Sequence, residues 1–238
     1  MESTVRRRGG GLLLVMMLGT AGCSSAPLTH AGTPATTARS STSTTAVSAP
    51  TTTTTLPRPV SEQPWTPFAT VGGLALRHPA FRVERVAFHE SNHDGAQPML
   101  PTATAIRPTV LESRERDTPA NTAVDIVVDP ATEIRAPVSG VVKRSGGYTL
   151  YCDNRDEYAV IQPDGQPEWE VKVLHMSGVR VERDQRVEAG VTVIASRANR
   201  LPFASQVEEV SARPPWPHVH IEVVDPRIPD RPSPSNCN

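Results

Sequence analysis

The chain contains 238 residues, and its 24 basic and 25 acidic side chains give a formal net charge of −1. Acidic and basic residues alternate in the second half without forming a basic stripe, which argues against nucleic acid as a partner. The long apolar run, residues 11–22, is shorter than the roughly 20 residues of a membrane-spanning helix, which argues against a transmembrane anchor.

Residues 1–22 have the pattern of a signal peptide. Three arginines, at positions 6–8, precede an apolar stretch, and Thr20-Ala21-Gly22-Cys23 ends it with small residues before a cysteine. This ending resembles the bacterial lipobox, in which the cysteine is lipidated and becomes the new N-terminus. We therefore expect an exported protein that is anchored to the cell membrane through lipid on Cys23 and faces the cell wall. The alternative, plain secretion with cleavage near Ala21, also places the protein outside the cytoplasm.

Residues 23–64 are predicted to be a disordered tether. Between Ser24 and Pro57, 28 of 34 positions are Thr, Ser, Ala or Pro, and none is aromatic. Such a segment cannot bury enough apolar surface to offset the entropy lost on ordering. As a coil of about 40 residues it would reach roughly 35 Å, so an anchored domain could work within the wall.

The remaining chain predicts one all-β domain, an antiparallel β-sandwich or a barrel-like fold. Short β-prone runs are separated by Gly, Pro, Asp and Asn, and no 3.6-residue period persists over three turns. Turns are expected at several of these breaks, including Ser145-Gly146-Gly147, and a short helix around Arg197–Ser205. The predicted strands are Phe81–His89, Thr122–Val128, Gly140–Lys143, Tyr158–Gln162, Glu170–His175, Val191–Ala195 and His218–Val224.

Three segments make up this domain. Residues 65–117 are expected to add strands to the main sheet or to cover its groove, 118–225 to form the main body, and 226–238 a Pro-rich tail.

With Cys23 assigned to lipid, Cys152 and Cys237 remain. An even pair in an exported protein favours a disulfide, here tying the tail to the domain. The alternative, a nucleophilic Cys152, has no supporting residues nearby in the sequence.

Residues 89–93 spell H-E-x-x-H, the signature of a large class of zinc peptidases. That chemistry needs both histidines on one face of a helix, whereas a Val- and Phe-rich run precedes the motif and poor helix formers follow it. In an extended chain, residues four apart lie about 13 Å apart, too far to share one metal ion. We interpret the motif as a strand end followed by a turn. A further histidine, His78, precedes Pro79 in a predicted turn and is expected at the surface.

The segment Pro217–Val223 is a better candidate for chemistry. On a strand, period two places His218, His220 and Glu222 on one face and the alternating apolar residues on the other. Such a pair of histidines can supply one metal ligand beside one catalytic base. The alternative is that the pair is structural.

Four motifs in order resemble the LytM or lysostaphin-type zinc metalloendopeptidases, which cleave peptide bonds in peptidoglycan. They extend over residues 121–224. They are Asp125 within Asn121–Asp125, the segment Ala131–Val142 with its Ala-Pro-Val-Ser-Gly core, the run Val173–Ser177 around His175, and the strand with His218 and His220.

The resemblance implies a role for each of these residues. Asp125 and His220 would be metal ligands, while His175 and His218 would act on the attacking water and the developing oxyanion. The family's first metal ligand falls at position 121, where this chain has asparagine. Because an amide oxygen is a poor zinc ligand, we expect zinc to be bound weakly or not at all. Rescue by His89 or His93 is the alternative.

These implications leave three hypotheses. The first is a catalytically degenerate LytM-type domain that binds peptidoglycan or regulates a wall hydrolase. The second is a working zinc metalloendopeptidase with an altered ligand set, and the third an unrelated β-domain with structural histidines.

Trp216, Tyr148 and Tyr151 are candidates for a substrate groove, where they could stack on sugar or peptide, although packing in the core or at its rim is an equal alternative.

Overall fold

The computed structural model describes residues 58–231. In that part of the chain the regular structure is β-strand with one short 3₁₀ helix, which confirms the all-β class. No helix within it is long and apolar enough to cross a membrane. The signal peptide, Cys23, most of the tether and Cys237 lie outside the described residues, so the lipid anchor and the pairing of Cys152 with Cys237 stay predictions.

Fourteen strands and the 3₁₀ helix follow one another within residues 58–231. The strands are β1 (Ser61–Glu62), β2 (Pro67–Val71), β3 (Leu74–Arg77), β4 (Arg82–His89), β5 (Leu100–Pro101), β6 (Thr109–Val110), β7 (Ala123–Val128), β8 (Ile134–Arg135), β9 (Gly140–Leu150), β10 (Asn154–Pro163), β11 (Glu170–Val179), β12 (Arg186–Val187), β13 (Val193–Ala198) and β14 (His218–Val224), with the 3₁₀ helix at Gln206–Val210 between the last two.

The strands form two sheets. The larger has the order β1-β4-β7-β14-β11-β10-β9-β12, with β13 pairing with β11 and β8, and β6 with β4. The smaller has the order β3-β2-β5. All pairings in these two sheets are antiparallel except that of β6 with β4. This architecture is compatible with the predicted sandwich, and it is not a closed barrel.

Two local predictions were wrong. The predicted turn at Ser145-Gly146-Gly147 lies inside β9, whose pairing with β10 continues past it to Leu150; glycine fits there because Gly146 has a φ of +140°. The helix expected around Arg197–Ser205 is absent, because β13 runs to Ala198 and Pro202 disfavours helical backbone before it. The 3₁₀ helix begins only after this segment.

The folded domain begins before residue 65, its expected start. Strand β1 pairs with β4, and the Arg58 guanidinium lies 4.3 Å from the centre of the Trp216 ring. Arg58 also forms an ion pair with the buried Glu84. Residues 58–64, expected in the tether, therefore belong to the domain, and the segment 65–117 adds β4 and β6 to the larger sheet as expected.

The apolar face of β14 packs in the core and so fixes the orientation of its polar face. Val219, Ile221 and Val223 are fully buried in the main apolar cluster, as the period-two pattern predicts. Burying each such side chain contributes about 1.5–3 kcal/mol. Because a one-residue slip would exchange the two faces of the strand, this apolar face fixes the direction of His218 and His220.

His78 is fully buried, contrary to the expected surface position. It follows β3 and its ring lies 5.6 Å from that of Phe68. Neither ring nitrogen has a hydrogen-bond partner within the described residues. Burial lowers the pKa of His78 to about 4, so the side chain is neutral at pH 7.

We expect His78 to make the domain sensitive to acid. Its stabilising contribution is complete above the unfolded-state pKa of about 6.5 and is lost as the pH falls towards 4, by up to about 3 kcal/mol, because only the unfolded state takes up the proton there. Replacement His78→Leu should remove this loss. Urea unfolding of both proteins at pH 7 and pH 5 measures it, and equal pH dependence in the two would contradict the prediction.

Candidate metal centre

Four neighbouring strands bring the candidate residues to one face of the larger sheet. Asp125 on β7 lies directly opposite His220 on β14. On the other side of β7, His89 at the end of β4 lies opposite Ala123. Since residues two apart on a strand share a face, His89 and Asp125 are diagonal neighbours on the same face as His220.

His89, Asp125 and His220 could hold a metal ion. His89 Nε2 lies 3.2 Å from Asp125 Oδ1, and His220 Nδ1 lies 3.0 Å from the same oxygen. In a tetrahedral zinc site with bonds of about 2.0–2.2 Å, two ligand atoms lie roughly 3.3 Å apart. The two distances to Asp125 are close to this spacing, and the ligand atoms of all three residues lie within 4.8 Å of one another.

The environment of His89 leaves one ring nitrogen ready to bind. Nδ1 lies 2.8 Å from the Glu90 carbonyl oxygen, and because a carbonyl only accepts, Nδ1 carries the proton. Nε2 then presents a lone pair; it is buried and has no hydrogen-bond partner among the described residues. A lone pair facing a carboxylate oxygen is unfavourable unless a cation or a proton lies between them.

Electrostatics reinforce this arrangement. Burial raises the pKa of Asp125, but the neighbouring histidines His89, His218 and His220 outweigh it and hold that pKa well below its usual range. Burial lowers the pKa of His220, but the bond to Asp125 and the Glu222 carboxylate outweigh it and raise the pKa to about 9. The centre thus favours positive charge beside Asp125.

The two predicted catalytic histidines lie next to this cluster. The rings of His175 and His218 meet edge to face with centroids 5.2 Å apart, and the His175 and His220 centroids are 5.8 Å apart. His218 Nε2 lies 3.9 Å from Asp125 Oδ2. Burial lowers the pKa of His218 to about 4, so this imidazole is neutral at pH 7.

His175 reaches the site through an unusual backbone conformation. Leu174 lies opposite His220, so regular alternation would turn His175 to the other face of the sheet. Its φ of +62° breaks the alternation, and the side chains of His175 and His220 line the same cleft. Left-handed backbone in a residue other than glycine costs free energy and is typical of functional sites.

Asp156 on β10 orients His175. This carboxylate is buried. His175 Nδ1 lies 2.6 Å from Asp156 Oδ2, and the same oxygen accepts a hydrogen bond from Tyr148, while Asn199 donates to Oδ1. Burial raises the pKa of Asp156, but these bonds and the charge of His175 outweigh it and lower that pKa. The ionised carboxylate requires the proton on Nδ1, which leaves His175 Nε2 free to accept another.

Asn121 lies apart from the cluster. It precedes the start of β7, and its side-chain Nδ2 donates a hydrogen bond of 2.6 Å to the Met99 carbonyl. It does not line the cleft. His89, from the neighbouring strand, is instead the third member of the group that could hold a metal ion.

The cleft around these residues has a volume of about 700 Å³. Tyr148 and Tyr151 line it, and their role in a substrate groove stays a prediction. Trp216 does not; it packs instead against a small apolar cluster that includes Val207 and Leu111. The Arg58 guanidinium forms the other part of its environment, 4.3 Å from the centre of the Trp216 ring. Both contacts hold Trp216 outside the groove.

The H-E-x-x-H segment has the predicted form of a strand end followed by a turn. Strand β4 ends at His89, and His93 lies outside the metal cluster, with its Nε2 3.2 Å from Asp230 Oδ1. Of the two histidines in the motif, His89 belongs to the group that could hold a metal ion and His93 does not. The sequence named it as an alternative ligand, but only the pairing of β4 with β7 shows that it reaches Asp125.

A scan of the chain against protein-family models finds no match, and a search of curated proteins finds none either. The resemblance to LytM-type enzymes therefore stays a prediction that rests on the four motifs.

Replacement Asp156→Asn should disturb the proton on the His175 ring. The neutral amide no longer holds the proton on Nδ1 and can itself donate to that nitrogen, so we expect the other tautomer to gain population. Nitrogen chemical shifts of the His175 ring, measured by NMR, distinguish the two. Asn199→Ala, which removes a different partner of Asp156, is the matched control and should leave the tautomer unchanged. Persistence of the Nδ1-protonated form in Asp156→Asn would contradict the assigned role.

Proposed function

We propose that the protein is a zinc-dependent peptide hydrolase of the LytM type that cleaves peptides of the cell wall. The observation that carries the proposal is the buried, unpartnered Nε2 of His89, 3.2 Å from Asp125 Oδ1. Together with His220 it gives two imidazole nitrogens and one carboxylate oxygen around a single point. This is the altered-ligand alternative among the hypotheses from sequence.

The donor set suits zinc. Two histidines and one carboxylate, with a further position open to the cleft, form a common ligand set of catalytic zinc sites. When bound, zinc supplies Lewis-acid activation of water and of a substrate carbonyl. The Glu222 carboxylate, whose Oε2 lies 3.8 Å from His220 Nε2, supports the His220 ring from behind.

The two other histidines have separate tasks in this proposal. His175, oriented by Asp156, accepts the proton of the attacking water at Nε2 and later returns it to the leaving amine. His218, neutral and buried beside Asp125, offers a hydrogen bond to the oxygen on which negative charge develops. Their edge-to-face contact keeps both next to the position of the reacting carbonyl.

The degenerate hypothesis rested on the loss of a ligand at Asn121. Since His89 offers an imidazole nitrogen beside Asp125, that premise no longer favours a binding module over an enzyme. The choice of a wall peptide as substrate rests on the export signal, the lipobox and the tether read from the sequence.

Replacement His89→Ala should weaken zinc binding by roughly 100-fold or more, because even outer-shell partners of a metal ligand are worth 10–100-fold. Asn121→Ala is the matched control and should bind zinc as the unchanged protein does. Competition with a chromophoric chelator measures both affinities. Loss of zinc in Asn121→Ala with retention in His89→Ala would reverse the ligand assignment.

Replacement His175→Ala should reduce peptide cleavage by about 10²–10⁴-fold, the usual contribution of a general base, while zinc remains bound. The assay measures amino groups released from purified peptidoglycan by the zinc-loaded, full-length protein. His93→Gln, which changes another cleft histidine, should keep most of the activity. If the zinc-loaded protein without substitutions releases none, the hydrolase proposal fails and a binding function takes its place.

A further inference from the structure

Glu90 has a structural role that differs from that of the Glu in a helical H-E-x-x-H motif. Its carboxylate accepts hydrogen bonds from the Ser113 hydroxyl and from the backbone N–H groups of Arg114 and Arg116, at 2.9 and 3.1 Å. These bonds lower the pKa of Glu90. The residue next to a metal ligand thus ties the loop 113–116 to the edge of the metal centre.

The loop presents two arginines to the cleft. Arg114 and Arg116 both line it, and Arg116 Nη1 donates a bond of 3.0 Å to the Glu90 carbonyl. Arg114 Nη2 lies 3.3 Å from His89 Nδ1, but that nitrogen already donates to the Glu90 carbonyl, so two donors face each other. Within residues 58–231 this long contact with His89 is the hydrogen-bond contact of the Arg114 guanidinium, and neither arginine forms an ion pair with an acidic side chain.

The acidic groups of the cleft are already neutralised by other partners. Glu222 Oε1 and Asp230 Oδ1 lie 3.2 and 2.6 Å from Lys172 Nζ, and Asp125 is engaged by histidines. Burial and repulsion from Arg114 lower the pKa of Arg116, although Tyr151, Asp125 and Glu90 act in the opposite direction.

We propose that Arg114 and Arg116 form a carboxylate-binding subsite, which selects peptides that carry a carboxylate close to the bond placed at the metal centre. Guanidinium groups bind carboxylates through paired, charge-assisted hydrogen bonds. Because Arg114 lies against His89, the bound carboxylate lies beside the metal centre. The lining of the cleft also includes Leu150, Tyr151 and Phe203, whose apolar surface suits the body of the peptide. The inference rests on the proposed function for the identity of the peptide, not for the charge it requires.

The test compares two probes on the full-length protein: a synthetic wall stem peptide with free carboxylates, and the same peptide with every carboxylate converted to the amide. Metal is first removed with a chelator, so that a carboxylate cannot gain affinity by binding zinc. Calorimetry should show at least roughly tenfold tighter binding of the acid form, the effect of one charge-assisted hydrogen bond.

The double variant Arg114→Gln/Arg116→Gln should bind the two probes equally. The single variant Arg114→Gln removes an exposed side chain that forms no ion pair within residues 58–231, and it should lose most of the preference while the fold is kept. Arg183→Gln, an exposed arginine outside the cleft, is the control and should retain the preference.

Equal affinity of the unchanged protein for the two probes, including no measurable binding of either, would overturn the inference, as would a preference that survives in the double variant. These outcomes are independent of cleavage. A preference for the acid form in a protein that never hydrolyses peptidoglycan would refute the proposed function and keep the subsite.

Discussion

The site depends on one buried carboxylate, Asp125, held between imidazoles that come from both neighbouring strands. A carboxylate without water around it is costly unless positive charge lies close by. Here His89 Nε2 and His220 Nδ1 lie 3.2 and 3.0 Å from Asp125 Oδ1, where a proton or a metal ion could supply that charge. The register of β7 with β4 and with β14 sets all these distances, so the fold and the centre are specified by the same pairings.

A second layer of charges keeps His220 in place. Glu222, two residues further along β14, accepts a bond of 2.5 Å from Ser91 and pairs with the buried Lys172 on β11. Burial raises the pKa of Glu222, but His220 and Lys172 outweigh it and lower that pKa, so the carboxylate stays ionised. Negative charge behind the ring favours an imidazole that directs Nδ1 towards Asp125 and the metal position.

Period-two alternation was enough to predict β14 and the face on which His218 and His220 lie, because the alternation of apolar and polar residues is local. His89 could not be selected in the same way. It is separated from Asp125 by a long stretch of chain, and only the pairing of two distant strands brings them together. The resemblance places a metal ligand at Asn121, four residues before Asp125. Asn121 precedes the strand, however, and its side-chain amide donates a hydrogen bond to the Met99 carbonyl. His175 was found by motif, whereas its orientation depends on a left-handed residue and on Asp156 from another strand.

The segment around His89 shows why backbone conformation decides what a short motif does. On a helix, the Glu of H-E-x-x-H would act beside a metal held by both histidines. At the end of a strand, successive residues separate: His89 turns towards Asp125, Glu90 binds the arginine-bearing loop, and His93 contacts Asp230. His89 thus belongs to the candidate metal centre, and Glu90 holds the loop that lines the cleft. Because the two are adjacent in the chain, a single peptide unit connects the candidate metal position to the arginines of the cleft.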